Sequence, residues 1–170
     1  MAEIHDTAAD HPADPAIVHN AAADPVVVSR FTPRHLWVVG IVSLLWNCFG
    51  ALDYTMTETH NAAYLAKVPA EVMAYVTSVP AWFVAFWAIG VWGAVVGSLM
   101  LLLRNRLAVP VFAASLLGLA VTQLYQRVID PAPAAMGGGG AMVAVEVLIW
   151  AIAIGLLVYA MAMTRRGVLR

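Results

Sequence analysis

The chain has 170 residues, 62% of them apolar and 11% charged, where an ordinary soluble domain carries roughly a quarter charged. That balance excludes an ordinary soluble globular protein and describes a chain made for the lipid bilayer. With a net charge of −1 and nine basic residues, a nucleic-acid-binding surface is excluded, and the single cysteine, Cys48, excludes a disulfide framework or a thiol relay.

In chain order, residues 1–32 come first, an Ala/Asp/His/Pro-rich stretch with near-repeats at 9–12, 13–15 and 23–25. It has little to bury and is expected to be a disordered tail. No Lys or Arg precedes Arg30, so there is no basic n-region of a secretory signal. His5, Asp6, Asp10, His11 and His19 share no spacing on a defined element, and they read as a solvated segment. No metal and no cofactor is expected.

Residues 33–170 read as one transmembrane domain. Apolar runs cover about 36–54, 80–103, 107–128 and 142–163, each 19 to 24 residues long. At about 1.5 Å per residue such lengths match a hydrocarbon core of roughly 30 Å. The expected fold is therefore all-α, an integral membrane four-helix bundle. Arg30, Arg34, Arg104, Arg106, Arg165, Arg166 and Arg170 would lie on one side, with Lys67 and Arg127 on the other. By the positive-inside rule both termini are cytoplasmic, which predicts a multi-pass protein of the inner (plasma) membrane.

The 55–79 segment then becomes an external loop, with Thr57 and Thr59 as candidate N-caps. Its apolar spacing, broken at Pro69, predicts one or two short amphipathic helices at the interface. The 104–106 turn is short and basic, so the second and third spans should form a close hairpin. In the second span Gly90, Gly93 and Gly97 sit where backbones can approach closely, either within the monomer or in a dimer. The 129–141 connection, with Pro131, Pro133 and four successive glycines, reads as flexible and fits no phosphate-binding spacing.

Polar groups inside spans are costly and mark function by default. On the first span Ser43, Trp46, Asn47, Gly50, Asp53 and Tyr54 share one helical face. Ser115, Thr122 and Gln126 form a stripe on the third, flanked by Gln123. On the fourth, Glu146 and Trp150 are one turn apart. Asp53, Arg127 and Glu146 share one depth near the external side, which predicts a partly buried charge cluster. Trp46 and Trp150 offer flat apolar surfaces beside hydrogen-bonding groups, the chemistry a neutral sugar requires. Plain helix packing also accounts for buried tryptophans. The histidines fall at span edges or outside them, which argues against haem, and no Ser-His-Asp set can be assembled, so no enzyme is expected.

The motifs Trp46-Asn47-x-x-Gly50-x-x-Asp53-Tyr54-x-Met56-Thr57-x-Thr59, Pro80-Ala81-Trp82, Trp87 to Gly93, Arg106 to Phe112 and the ending Arg166-Gly167-Val168-Leu169-Arg170 carry a resemblance. Over about residues 33–170 the chain resembles a family of small four-span bacterial inner-membrane proteins, loosely labelled sugar transporters. The resemblance implies transport without assigning residues to it. The Pro-Gln signature of small sugar-flux proteins built from three-helix units is absent, which sets the chain apart from those.

Together these readings predict a carrier of a small polar solute, a sugar among the candidates, with a polar and aromatic cavity toward the external side. Its expected binding residues are Trp46, Asn47, Asp53, Tyr54, Gln126, Arg127, Glu146 and Trp150, and Glu146 is also a candidate for proton coupling. A homo-oligomer, in the simplest case a dimer, would supply the second half of an alternating-access site. The alternative is a non-transporting accessory protein that docks through the 55–79 loop.

Overall fold

The computed structural model describes residues 33–137 and 139–170. Regular structure among them is helical throughout: α1 (Arg34–Glu58), α2 (Ala62–Leu65), α3 (Ala70–Ser78), α4 (Ala81–Leu102), α5 (Ala108–Leu124), α6 (Ala134–Gly137) and α7 (Gly140–Arg165). A π-helical turn, Tyr125–Ile129, extends α5. Four helices are long and apolar enough to cross a membrane: α1, α4, α5 with its extension, and α7. The expected tail, Arg30 and Gly138 lie outside the described residues.

The apolar runs mark the spans but not their ends. Helix α1 continues through the polar residues Thr55, Thr57 and Glu58, past the expected limit at Tyr54. Thr57 therefore lies inside α1 and Thr59 caps its C-terminus, so neither starts a helix. The N-cap of α2 is Asn61, whose side-chain oxygen accepts the Tyr64 N–H at 3.0 Å. Pro69 and Pro80 stand immediately before α3 and α4, where a residue that cannot continue a helix backward marks the start. The 129–141 connection is not wholly irregular, since α6 occupies Ala134–Gly137 and Gly140 already belongs to α7.

Helices α1, α4 and α7 end alike. In each, one N–H reaches back five residues and the N–H before it reaches back three: Asn61 to Met56 with His60 to Thr57, Asn105 to Met100 with Arg104 to Leu101, and Val168 to Met163 with Gly167 to Thr164. This motif needs a left-handed residue. The three are His60 (φ 52°), Arg104 (φ 57°) and Gly167 (φ 68°), so only one is the residue that takes this conformation without strain. Replacing His60 with Gly is expected to stabilise the protein by about 0.5–1 kcal/mol. Thermal unfolding in detergent measures it, and a lowered midpoint would contradict the assignment.

Packing follows chain order. Asn47 faces Ala94 and Ser98, Gly50 faces Val91, and the Tyr54 ring meets the Trp87 ring edge-on at 4.9 Å, which sets α1 antiparallel to α4. The α4–α5 hairpin is closer still. A Cβ on Gly97 would lie 2.7 Å from the Phe112 ring, one on Gly93 would lie 3.0 Å from the Ser115 Cβ, and one on Gly118 would lie 2.6 Å from the Phe86 carbonyl oxygen. Ser115 Oγ donates to the Gly90 carbonyl across the same seam at 2.5 Å. The small residues of the second span thus serve a contact inside one chain. Helix α7 packs against α5.

The apolar core sits at the end where Arg34, Arg104, Arg106, Arg165 and Arg166 gather, here called the basic end. Leu36, Leu101, Ala108, Phe112, Leu156, Ala160 and Met163 form it. The chain after α7 turns back into this core: Val168 and Leu169 are buried within it. The Arg106 N–H donates to the Arg170 carbonyl at 2.9 Å, and the Arg170 N–H donates to the Arg104 carbonyl at 2.8 Å.

Candidate functional site

Away from the basic end, the four long helices diverge around a cavity of about 480 Å³, within the roughly 300–1,000 Å³ of small-molecule sites. The divergence has a simple cause. Gly90, Gly93, Gly97 and Gly118 draw α4 and α5 together, whereas α1 and α7 each lean on one partner, α4 and α5 respectively. Helices α1 and α7 meet near the basic end, where the His35 ring nitrogen Nδ1 and the Tyr159 hydroxyl lie 2.6 Å apart and Leu36 joins the core. Beyond that point the space between them is the cavity.

Its floor includes Phe112 and Leu156, both part of the basic-end core. Tyr75, Val76 and Val79 cover the opposite end together with Met136 of α6. This roof is pinned by the Tyr75 hydroxyl, which donates to the Asp130 carbonyl at 2.9 Å. Burial, with the nearby Asp130 charge and Tyr125 second and third, pushes the Tyr75 hydroxyl up to about 12 from its ordinary 10. A raised folded-state value keeps its stabilisation intact below pH 10 and loses it as pH climbs to about 12. Tyr75→Phe is therefore expected to be less stable at neutral pH and to lose less on alkaline titration. A thermal midpoint that falls equally in both proteins between pH 9 and about 12 would contradict this.

Of the eight sequence-predicted residues, Trp46, Asn47, Asp53 and Gln126 line the cavity. Tyr54, Arg127, Glu146 and Trp150 do not. Tyr54 instead packs on Trp87. The expected three-member charge cluster separates into two pairs. Arg127 on the π-helical turn pairs with Glu146 on α7, as neighbouring elements allow. Asp53 accepts a hydrogen bond from the Tyr64 hydroxyl, because α1 runs on to Glu58 and the following turn returns α2 over it. That bond, with burial and the Asp53 charge behind it, pushes the Tyr64 hydroxyl up to about 12.

Most polar groups on the walls are already engaged in packing. Asn47 Nδ2 donates to Ser98 Oγ at 3.0 Å and to the Ala94 carbonyl at 3.2 Å. The Ser115 hydroxyl serves the Gly90 carbonyl, and the Thr122 hydroxyl serves the carbonyls of Gly118 and Leu119. Among the described residues, the Gln123 and Gln126 side-chain amides of the cavity wall have no hydrogen-bond partner. They fall where α5 passes into its π-helical turn, an irregularity common at functional sites. The remaining wall is apolar and aromatic, with Phe49, Phe83, Trp87, Val91 and Leu119 prominent.

Sequence reading reached the polar stripes but not the apolar wall. Nothing in the periodicity of α4 or α7 separates cavity-facing residues such as Val91 and Ile152 from outward-facing ones, because both helices are apolar all round. No group of three or more metal-ligating side chains occurs among the described residues. Comparison with protein-family models, with curated proteins and with solved structures finds no match to this chain.

Proposed function

We propose that the chain is a multi-pass protein of the inner (plasma) membrane, with both termini in the cytoplasm, that takes a small solute into the cavity between its four spans and carries it across the bilayer. The cavity itself supports this reading. A space of about 480 Å³, closed at the basic end by packed side chains, covered at the other end by Tyr75, Val76 and Val79, and lined by Trp46, Asn47, Asp53 and Gln126, is large enough to hold a small solute between the two faces. Clustering of Arg34, Arg104, Arg106, Arg165 and Arg166 at one end supports the orientation. Since Arg127 and Glu146 neutralise each other, their role in this reading is to fix α7 against α5, and they do not contact the solute.

Uptake into proteoliposomes, run with mono- and disaccharides and with less polar solutes, tests the proposal. Saturable uptake that is lost when Leu119→Trp fills the cavity is the expected result. Absence of saturable uptake by folded, inserted protein would overturn it.

A second reading has its own support. Because Asn47 and Ser115 spend their donors on neighbouring helices, these polar residues also serve as interhelical glue. An accessory protein docking through the 55–79 segment would need no more than that, and copurification of a stoichiometric partner would favour it.

A further inference from the structure

The cavity is unevenly polar and unevenly closed, and both facts bear on what it holds. Its roof is pinned by Tyr75 and its floor is packed, but its side is not shut. Helices α1 and α7 are the two edges of a row in which α1 packs on α4, α4 on α5 and α5 on α7. The α1 wall includes Phe49, 74% exposed, and Trp46, 37% exposed, and the α7 wall across from it is formed by the half-buried Ile149, Ile152 and Ala153. At this position on helices long enough to span a bilayer, such exposure faces hydrocarbon and not water.

Polar groups are few on the wall, and among the described residues lining it the carboxamides without a hydrogen-bond partner for their donors are Gln123 and Gln126. With the Ser115, Thr122 and Asn47 donors occupied, the unengaged donors of the wall are the Gln123 and Gln126 amides and the indole N–H groups of Trp46 and Trp87, while the Asn47 carbonyl oxygen and the Asp53 carboxylate are acceptors on α1. A free sugar carries hydroxyls around its whole ring and would leave most of them against Phe83, Trp87, Val91 and Leu119. A molecule with an apolar body and one hydrogen-bonding head leaves none.

We infer that the cavity binds a lipid-soluble amphipathic molecule, admitted sideways from the bilayer between α1 and α7, with its polar head on Gln123 and Gln126. This rests on the cavity reading above and names its ligand class. A primary-amide or hydroxyl head suits two carboxamides, each of which donates and accepts. The apolar body lies along the aromatic wall of α4. Access through the lipid also explains why a roofed cavity needs no moving lid.

The test uses the full chain in lipid nanodiscs and a photoreactive probe, decanamide bearing an aliphatic diazirine, with labelled residues mapped by mass spectrometry. Label is expected within 46–53, 119–126 and 149–156, displaced by unlabelled decanamide. Gln123→Leu with Gln126→Leu should raise the displacing concentration about tenfold, while decane, lacking the head, should compete equally in both proteins. Label confined to outward positions such as Val38, Ile41 and Val158 would overturn the inference. A second readout, protection of Asn47→Cys in a Cys48→Ala background from a membrane-permeant maleimide, separates the two claims. Protection by a monosaccharide and not by decanamide would leave the cavity reading standing and overturn this ligand class. Protection by neither would overturn both.

Discussion

Gly118→Val is expected to leave no folded protein. A Cβ at this position would lie 2.6 Å from the Phe86 carbonyl oxygen, 2.7 Å from the Gly90 nitrogen and 3.0 Å from the Gly90 Cα. Every one of those atoms is backbone, so no side chain can rotate away, and the two helices must separate. Separation would also break the Ser115 bond to the Gly90 carbonyl and loosen the contact of Gly97 with Phe112. Packing is the main force between helices in lipid, and a backbone clash of this kind should cost more than about 3 kcal/mol. Gly155→Val is the matched control, because nothing lies within 4 Å of a Cβ built there. Monodispersity in detergent and the thermal midpoint distinguish the two. Equal midpoints would show that the α4–α5 seam is not as tight as described.

The second large effect is expected from Leu169→Ala. This side chain is 4% exposed and packs with Leu36, Leu101 and Met163, although it follows the last helix by only a few residues. Truncating a buried leucine costs about 2–5 kcal/mol, and here the void opens under the cavity floor. Val158→Ala, on a side chain 54% exposed, should cost far less. The comparison reads as a drop in thermal midpoint for one and little change for the other. If both variants melt with the native protein, the segment after α7 does not belong to the core.

These two positions also show what the sequence could and could not reveal. The four helices long and apolar enough to cross a membrane were legible because runs of about twenty apolar residues stand out in any sequence. Gly90, Gly93 and Gly97 were legible as a close-approach surface, but Gly118, which faces Gly90, stands alone in its helix and carries no spacing to mark it. Leu169 lies between Arg166 and Arg170, beyond the last apolar run, where no periodicity marks it as core; its burial follows from a left-handed Gly167 that reverses the chain. At the site, Trp46, Asn47, Asp53 and Gln126 were found because polar or indole groups stand out in apolar helices. Which partners they would choose was not legible. Equal depth suggested that Asp53, Arg127 and Glu146 should meet, yet depth fixes only one of three coordinates. Neighbouring elements decided the rest, giving Asp53 to Tyr64 and Arg127 to Glu146. Gln123 was noticed as a flanking residue only, since its lack of a partner is a property of the packed helices.

The row of helices has a consequence for how the protein is made. Each long helix rests chiefly on the one synthesised just before it, α4 on α1, α5 on α4 and α7 on α5. A nascent chain can therefore settle span by span as it leaves the ribosome, with no early helix waiting exposed for a distant partner. The exception is the core that joins Leu36 to Met163, Val168 and Leu169. That closure waits until Val168 and Leu169 have been translated, so until then α1 rests chiefly on α4. A chain stalled before Val168 would hold the assembled row of helices without its final latch.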